Sequence, residues 1–425
     1  MINLSVYANR RICVAVSGGR DSMALLNLIY THMREYGITL TALNCDHKIR
    51  GASSERDSAF VKKFCADKNI PLTFFEWNYD GVKTEESARI WRRQCYESVL
   101  KSGVDFVATA HHMNDNAETV LFNLARGASV SGLSGIYDSG RIIHPLIECT
   151  RAQIDEYVLK NNVPFVDDET NFTDGYTRNK IRHNVLPELE RAVPSAVKNI
   201  FCLSRLAIED EEYFREQIEK REILTFFKFG TAIKSCESVI FKRAAVQAIK
   251  NFKRKDYTQE HLKRLYELSF AEKGKKFEFL GLTAYAENDK IILTEEKDFS
   301  SAAYPLNGYD TESFCGSRLI ITDKAPTGQK FLKADGGKIS ENAVIRFRRE
   351  GDRFKKYKGG TKSLGDFLTD RKIPIYLRDR IPLIADGSEI LAVCGVEISD
   401  KIKTDENTEN TLYIISDNFS EDIIC

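Results

Sequence analysis

Ser17-Gly18-Gly19-Arg20-Asp21-Ser22 stands between an apolar run, Arg11–Val16, and a segment with helical spacing, Ser22–Tyr36. A strand that stops at two glycines and resumes as a helix points free N–H groups at whatever sits at the helix start. The glycines allow a tight turn, and Ser17 and Ser22 add hydroxyl groups. Asp21 would repel an anion unless a cation stood between them, which points to Mg²⁺ beside a phosphate. Such a turn can also simply join strand to helix. Six residues in the strand–turn–helix setting favour nucleotide binding over that reading. No Gly-x4-Gly-Lys-Ser/Thr and no Gly-x-Gly-x-x-Gly occurs, so this is neither a Walker loop nor a dinucleotide fingerprint.

Working outward, strands and helices alternate. Thr39–Cys45 reads as a strand and Ser53–Asn69 as a helix; Leu72–Trp77 precedes a helix over Thr84–Lys101; Asp105–Thr109 precedes one over Asn114–Leu124. This rhythm predicts an α/β fold, a parallel sheet with helices on both faces, and a ligand at the carboxyl ends of the strands. After Pro187 the alternation stops. Ser195–Lys220, Val239–Lys250 and Thr258–Ser269 read as helices, the last opened by a Thr cap, and Lys276–Thr294 reads as a hairpin around an Asn-Asp turn. Residues 298–337 are irregular, with a linker or weak strands. A small α+β unit follows from Val344 to Ile415, with strands at Val344–Arg349, Ile381–Ala385 and Ile390–Val396 around a helix at Leu364–Thr369. The expected division is 1–190, a mostly helical 191–298, an irregular 299–340, and a basic 341–425.

The chain has 425 residues, 42% hydrophobic and 29% charged, which suits two to three globular domains. No apolar run approaches the roughly 18 residues of a membrane span, and the first residues lack the apolar core of a signal peptide, so a cytoplasmic location is expected. Ten cysteines are scattered without a CxxC pair. That argues against a zinc ribbon, an iron–sulfur cluster or a secreted disulfide framework.

Sixty-two basic residues balance sixty-two acidic ones. A net charge of zero is a poor signature for a nucleic-acid partner until it is divided along the chain. Residues 1–200 carry 24 Lys/Arg and 24 Asp/Glu, whereas Arg346–Arg380 carries 12 against 5, a net of +7. Arg346, Arg348, Arg353, Lys355, Lys356 and Lys358, with Phe354 and Tyr357 interleaved, read as a patch that tracks RNA phosphates. The plainer alternative is a solvated basic loop.

The loop Ser17–Ser22 resembles that of the PP-loop ATP pyrophosphatases, whose motif is SGGxDS; Arg20 fills the variable position. Four further segments narrow the likeness: Asp46-His47-Lys48-Ile49-Arg50; Glu86–Tyr96, containing Arg89; Thr109–Thr119, containing His111, His112, Asp115 and Glu118; and Asp168-Glu169-Thr170-Asn171 with Arg178–Asn184. Together these resemble the tRNA(Ile)-lysidine synthetase family. The resemblance implies an enzyme that adenylates the C2 oxygen of the first anticodon cytidine of tRNA(Ile) with a CAU anticodon. The ε-amino group of free L-lysine then displaces AMP, and codon reading changes from AUG to AUA. It also implies ATP held by Ser17, Gly18, Gly19, Arg20, Asp21, Ser22 and Asp46, with Mg²⁺ on Asp21. Catalysis would fall to Asp21, Arg89, His111 and Asp115, lysine binding to Asp115, Glu118 and Arg182, and tRNA contact to Arg178 and the basic patch.

The residues allow plainer readings beside that likeness. Asp115 and Glu118 share one helix face, where they can pair with an amino group or simply complement the helix dipole. Arg89 lies on a helix with Arg92 and Arg93 and could either stabilise charge at an α-phosphate or belong to a solvated face. Arg178 and Arg182 could hold a carboxylate or RNA phosphates, or pair with Asp167 or Asp168. Asn114 stands where the family pattern has the first of two aspartates. Other readings are a tRNA thiolase, a small-molecule amidating ligase, and a non-catalytic RNA-binding protein. Cluster-dependent thiolation would want CxxC cysteines, and a binding protein would have no use for Asp21, Arg89 and Asp115.

Overall fold

The computed structural model describes residues 2–48, 52–77, 84–166, 177–295, 303–306, 310–314, 317–328 and 330–416. The chain divides into two compact units, 1–213 and 214–425.

The first unit is built on five strands: β1 (Arg11–Ala15), β2 (Thr39–Asp46), β3 (Leu72–Glu76), β4 (Phe106–Ala108) and β5 (Ile142–Ile143). They pair in parallel in the order β3-β2-β1-β4-β5. Ile12, Cys13 and Val14 are fully buried because a parallel strand is covered on both faces, which is why β1 reads as a continuous apolar run. The helices are α1 (Arg20–His32), α2 (Ala52–Asp67), α3 (Glu85–Lys101), α4 (Met113–Ala125) and α5 (Arg151–Lys160). Met23, Leu26 and Ile29 of α1, Val61 of α2, and Ile154 and Val158 of α5 share a core on one side of the sheet. Val99 of α3 packs with Cys13, Leu43 and Val107 on the other. Each fully buried Leu or Ile contributes about 1.5–3 kcal/mol. Two short helices follow, α6 (Thr177–Lys180) and α7 (Leu186–Ala192), joined by a wider π-type turn over Ile181–Val185.

Strand order reverses between β1 and β4, so the loops after these two strands border one crevice. Those loops are Val16–Gly19 and Thr109–His112. The α/β fold and helices over both faces are thus as the alternation predicts. The strand β5 and the helix α5 are additional; Thr150 caps α5 by accepting from the Gln153 N–H.

The boundary between units falls within α8 (Ala196–Lys220). In the second unit, β6 (Leu224–Phe227), β7 (Gly230–Lys234), α9 (Ser238–Asn251), α10 (Gln259–Leu268), β8 (Lys276–Phe279), β9 (Leu282–Ala286) and β10 (Lys290–Glu295) follow in order. The expected helices are present, with Thr258 capping α10. They pack on an antiparallel sheet ordered β6-β7-β10-β9-β8, of which the sequence suggested only one hairpin.

The described parts of residues 299–340 hold the weak strands that their composition allowed, in place of a linker. These are β11 (Ala303–Pro305), β12 (Asp310–Phe314), β13 (Ser317–Thr322) and β14 (Leu332–Asp335). The remaining elements are β15 (Val344–Arg346), β16 (Arg353–Lys355), β17 (Thr361–Ser363), α11 (Leu364–Asp370), α12 (Ile375–Arg378), β18 (Leu383–Asp386), β19 (Glu389–Val393), β20 (Glu397–Ile398) and β21 (Thr411–Ser416). β11 pairs with β15, and β12, β13 and β14 form a sheet with β21. Pairing partners nearly a hundred residues away carry no local signal, so short polar strands of this kind read as loop.

Candidate active site

The glycine loop is held open by its own hydroxyls. Ser22 Oγ donates to the Gly19 carbonyl at 2.9 Å and accepts from the Ser17 N–H at 3.2 Å. Gly18 has φ +91°, and a Cβ there would lie 3.4 Å from the Asp57 carbonyl oxygen, so the turn suits glycine. Gly19 is the N-cap of α1 and offers no side-chain acceptor to the first turn. Those N–H groups suit the oxygens of a phosphate.

Asp21 sits in the first turn of α1. Arg151 Nη1 donates to both of its carboxylate oxygens, at 2.9 and 3.1 Å. Burial pushes the Asp21 carboxyl above its usual range, and His112 and Arg151 pull it back. Arg151 Nε also donates to Asp155, which accepts from Arg20 Nη1 at 2.9 Å. Arg20 lies over the Phe165 ring as well, so its side chain is occupied by α5 and its neighbours. Arg151 was not singled out by the sequence. A capping box, Thr150-x-x-Gln153, opens the helix that carries it and was the available signal.

His112 links the two loops. It is 4% exposed, and its Nε2 lies 3.8 Å from Asp21 Oδ2 and 3.5 Å from Asp115 Oδ2. Asp115 Oδ2 also accepts from the His112 N–H at 3.0 Å. Asp115 and Glu118 share a face of α4, as their spacing predicts, and both meet Arg182. Arg182 Nε donates to Glu118 Oε1 at 2.6 Å, and Nη2 donates to Glu118 Oε2 at 2.9 Å and Asp115 Oδ1 at 3.0 Å. Burial pushes the Glu118 carboxyl up, and Arg182 opposes the rise. Asn114 Oδ1 accepts from the Arg151 N–H at 3.0 Å, which ties the start of α4 to the start of α5.

His111 turns its Nδ1 toward Thr109 Oγ1 at 2.8 Å. Asp46, 5% exposed, ends β2 and accepts from the Lys48 N–H. Arg89 is exposed on α3. Arg178 Nη2 donates to Thr119 Oγ1 at 3.4 Å, and its guanidinium faces the Phe122 ring. Ile49, Arg50, Asp167, Asp168, Glu169, Thr170 and Asn171 lie outside the described residues. No group of three or more His, Cys, Asp or Glu suited to a metal occurs among the described residues. A magnesium ion bound through one carboxylate and substrate phosphates needs no such cluster, so Asp21 by itself fits that use.

In the second unit, one member of the basic patch is misplaced by sequence. Arg346 is 2% exposed; its Nη1 and Nη2 donate to Asp352 at 2.9 and 2.7 Å, and Nη2 donates to the Gly387 carbonyl. It is a buried structural cation and cannot face RNA. Arg353 and Lys358 are exposed, as the patch requires. Arg348 pairs with Asp379, Lys355 with Asp400, and Lys356 with Asp370. Asp352, Asp370 and Asp379 are already counted in the net of +7; of the segment's described ion pairs, those of Lys355 with Asp400 and Arg371 with Glu397 draw on carboxylates outside it, so most of the excess charge remains.

Residues 2–189 match the PP-loop domain family, and residues 343–414 match the TilS substrate C-terminal domain. The tRNA(Ile)-lysidine synthase of Caldanaerobacter subterraneus subsp. tengcongensis is 31% identical, over 95% of this chain and 93% of its own length. Those of Thermotoga maritima and Bacillus subtilis are each 30% identical; the first match covers 95% of both chains, the second 91% of this chain and 90% of the relative. Likeness at this level over nearly the whole length places the chain in the tRNA(Ile)-lysidine synthase family.

Proposed function

We propose that this protein is a ligase that joins the ε-amino group of free lysine to C2 of the first anticodon cytidine in tRNA(Ile) with a CAU anticodon. Its PP-loop domain implies use of ATP. The reaction runs through an adenylated cytidine: the C2 oxygen takes the α-phosphoryl group, pyrophosphate leaves, and the amine then displaces AMP. The observation that carries this reading is the single carboxylate chain across the crevice, in which His112 lies between Asp21 and Asp115, and Asp115 and Glu118 share Arg182.

Each part has a task that its surroundings suit. Ser17, Gly18, Gly19 and Ser22 would hold the phosphates. Asp21 would hold Mg²⁺, whose charge would favour the ionised form that burial opposes. Asp115 and Glu118 would receive the lysine ammonium, with Arg182 available to its carboxylate. Arg89 would stabilise charge at the α-phosphate. Residues 1–190 would carry the chemistry, and residues 191–298 with 341–425 would bind tRNA, the exposed Arg353 and Lys358 contacting phosphates together with Arg178 in the first unit.

The test is transfer of labelled lysine. Labelling of tRNA(Ile) with a CAU anticodon, dependent on ATP and accompanied by pyrophosphate release, is the expected result. Equal labelling of tRNA(Met), or no transfer, would overturn the proposal.

A further inference from the structure

The half-buried His111 and the buried His144 meet edge to face behind the crevice. Their Nδ1 atoms are 3.3 Å apart, and Thr109 Oγ1 lies between them, 2.8 Å from His111 Nδ1 and 2.6 Å from His144 Nδ1. Thr109 is 6% and His144 8% exposed. His144 comes directly after β5 and is fixed by its own N–H, which donates to Asp138 Oδ1 at 2.8 Å.

Proton counting restricts this trio. A hydroxyl has one proton to donate and can accept another. If both Nδ1 atoms carried protons, the Thr109 proton would have no acceptor among these contacts. If neither did, one Nδ1 would face the hydroxyl oxygen with lone pair against lone pair at under 3 Å. The contacts are satisfied together only when one histidine carries its proton on Nδ1 and the other does not. The 3.3 Å approach of the two nitrogens fits the same assignment.

The two distances fix the direction. Hydroxyl donors make shorter bonds than N–H donors, and Thr109 Oγ1 stands 2.6 Å from His144 Nδ1 against 2.8 Å from His111 Nδ1. The hydroxyl proton therefore points at His144 Nδ1, and the proton of that ring belongs on Nε2. Burial pushes His144 down to about 4, which keeps the ring neutral near pH 7. Thr109 therefore donates to His144 Nδ1 and accepts from the His111 Nδ1–H.

We infer that Thr109 and His144 are positioning residues that hold His111 in its Nδ1–H tautomer, leaving Nε2 as an unprotonated acceptor. Resting on the lysine-ligation reading, that acceptor takes one proton from the ε-ammonium group. His111 becomes imidazolium near Asp115, whose charge favours that form, and the freed amine lone pair is available for attack on C2. The tautomer is set from behind the ring, as the second partner of a catalytic histidine commonly sets it.

The experiment is ¹⁵N NMR of the full chain labelled at histidine, with signals assigned from H111Q and H144Q, alongside single-turnover assays of T109V and T109S. In the wild type, His111 should show a protonated Nδ1 and bare Nε2, and His144 the reverse. T109V should mix the His111 tautomers and slow lysine transfer by about tenfold or more with the lysine KM unchanged. T109S, which retains the hydroxyl, should restore both. Matching tautomers in the two histidines, reversed tautomers, or an unaltered rate in T109V would overturn the assignment. If T109V does not fold, the wild-type spectrum decides alone. Opposite tautomers without any lysine transfer would leave the relay standing and refute the functional reading instead.

Discussion

Arg151 holds both carboxylate oxygens of Asp21, at 2.9 and 3.1 Å, across 130 residues of sequence. Burial disfavours the Asp21 anion, and this guanidinium opposes that effect. Removing Arg151 leaves a carboxyl that protonates more readily beside the phosphate loop. R151M should lower ATP-dependent pyrophosphate release by roughly tenfold or more, with the lysine KM unaltered. Steady-state assays with each substrate varied check this.

Glu118 is 6% exposed in its side chain, whereas its partner Arg182 is 39% exposed. A hydrogen bond to a charged group contributes about 1.5–3 kcal/mol, which solvent at Arg182 reduces. E118Q keeps the shape and removes the charge that would meet an ammonium. Its lysine KM should rise about tenfold, the equivalent of about 1.4 kcal/mol, while tRNA-dependent pyrophosphate release persists. Loss of both activities together would assign Glu118 to folding instead.

Arg346 and Asp352 are each 2% exposed, so R346M leaves a buried carboxylate without its cation. The expected loss of stability is about 3–5 kcal/mol, read as a lower urea midpoint. R353A/K358A touches exposed side chains and should leave that midpoint in place. It should weaken tRNA binding and flatten its salt dependence by roughly one unit of slope per phosphate contact removed.

Burial pushes His111 below its ordinary 6.5. If the neutral ring accepts the proton, lysine transfer should persist below pH 6.5 and fail only as pH falls through the depressed value. Stability follows the same sign. A histidine whose folded pKa is depressed contributes fully above the unfolded value, and the contribution is lost as pH falls toward the folded one. For His144 that window runs from 6.5 to about 4. Chemical denaturation across this range should show falling stability, and H144Q should flatten the slope.

Local sequence determined much of the first unit. Short continuous apolar runs, period-3.6 faces and the Ser17–Ser22 turn act over a few residues, so β1, α1, α3 and α4 are legible, as is the placing of Asp115 and Glu118 on one face. The two-residue strand β5 has too little pattern to announce itself, and its contribution to the site is His144. Charge counting gave a correct net for the basic segment and a wrong location for Arg346. Composition cannot tell a cation on the surface from one folded onto Asp352.

What the sequence by itself determined is the nucleotide-loop fold, the family, and the residue types brought to the crevice. Tertiary structure decided which of them meet: Arg151 on Asp21, Arg182 on Glu118, and His144 behind His111 through Thr109. These contacts join residues 33 to 130 positions apart. Their geometry comes from parallel strand order and helix packing, which local periodicity does not encode.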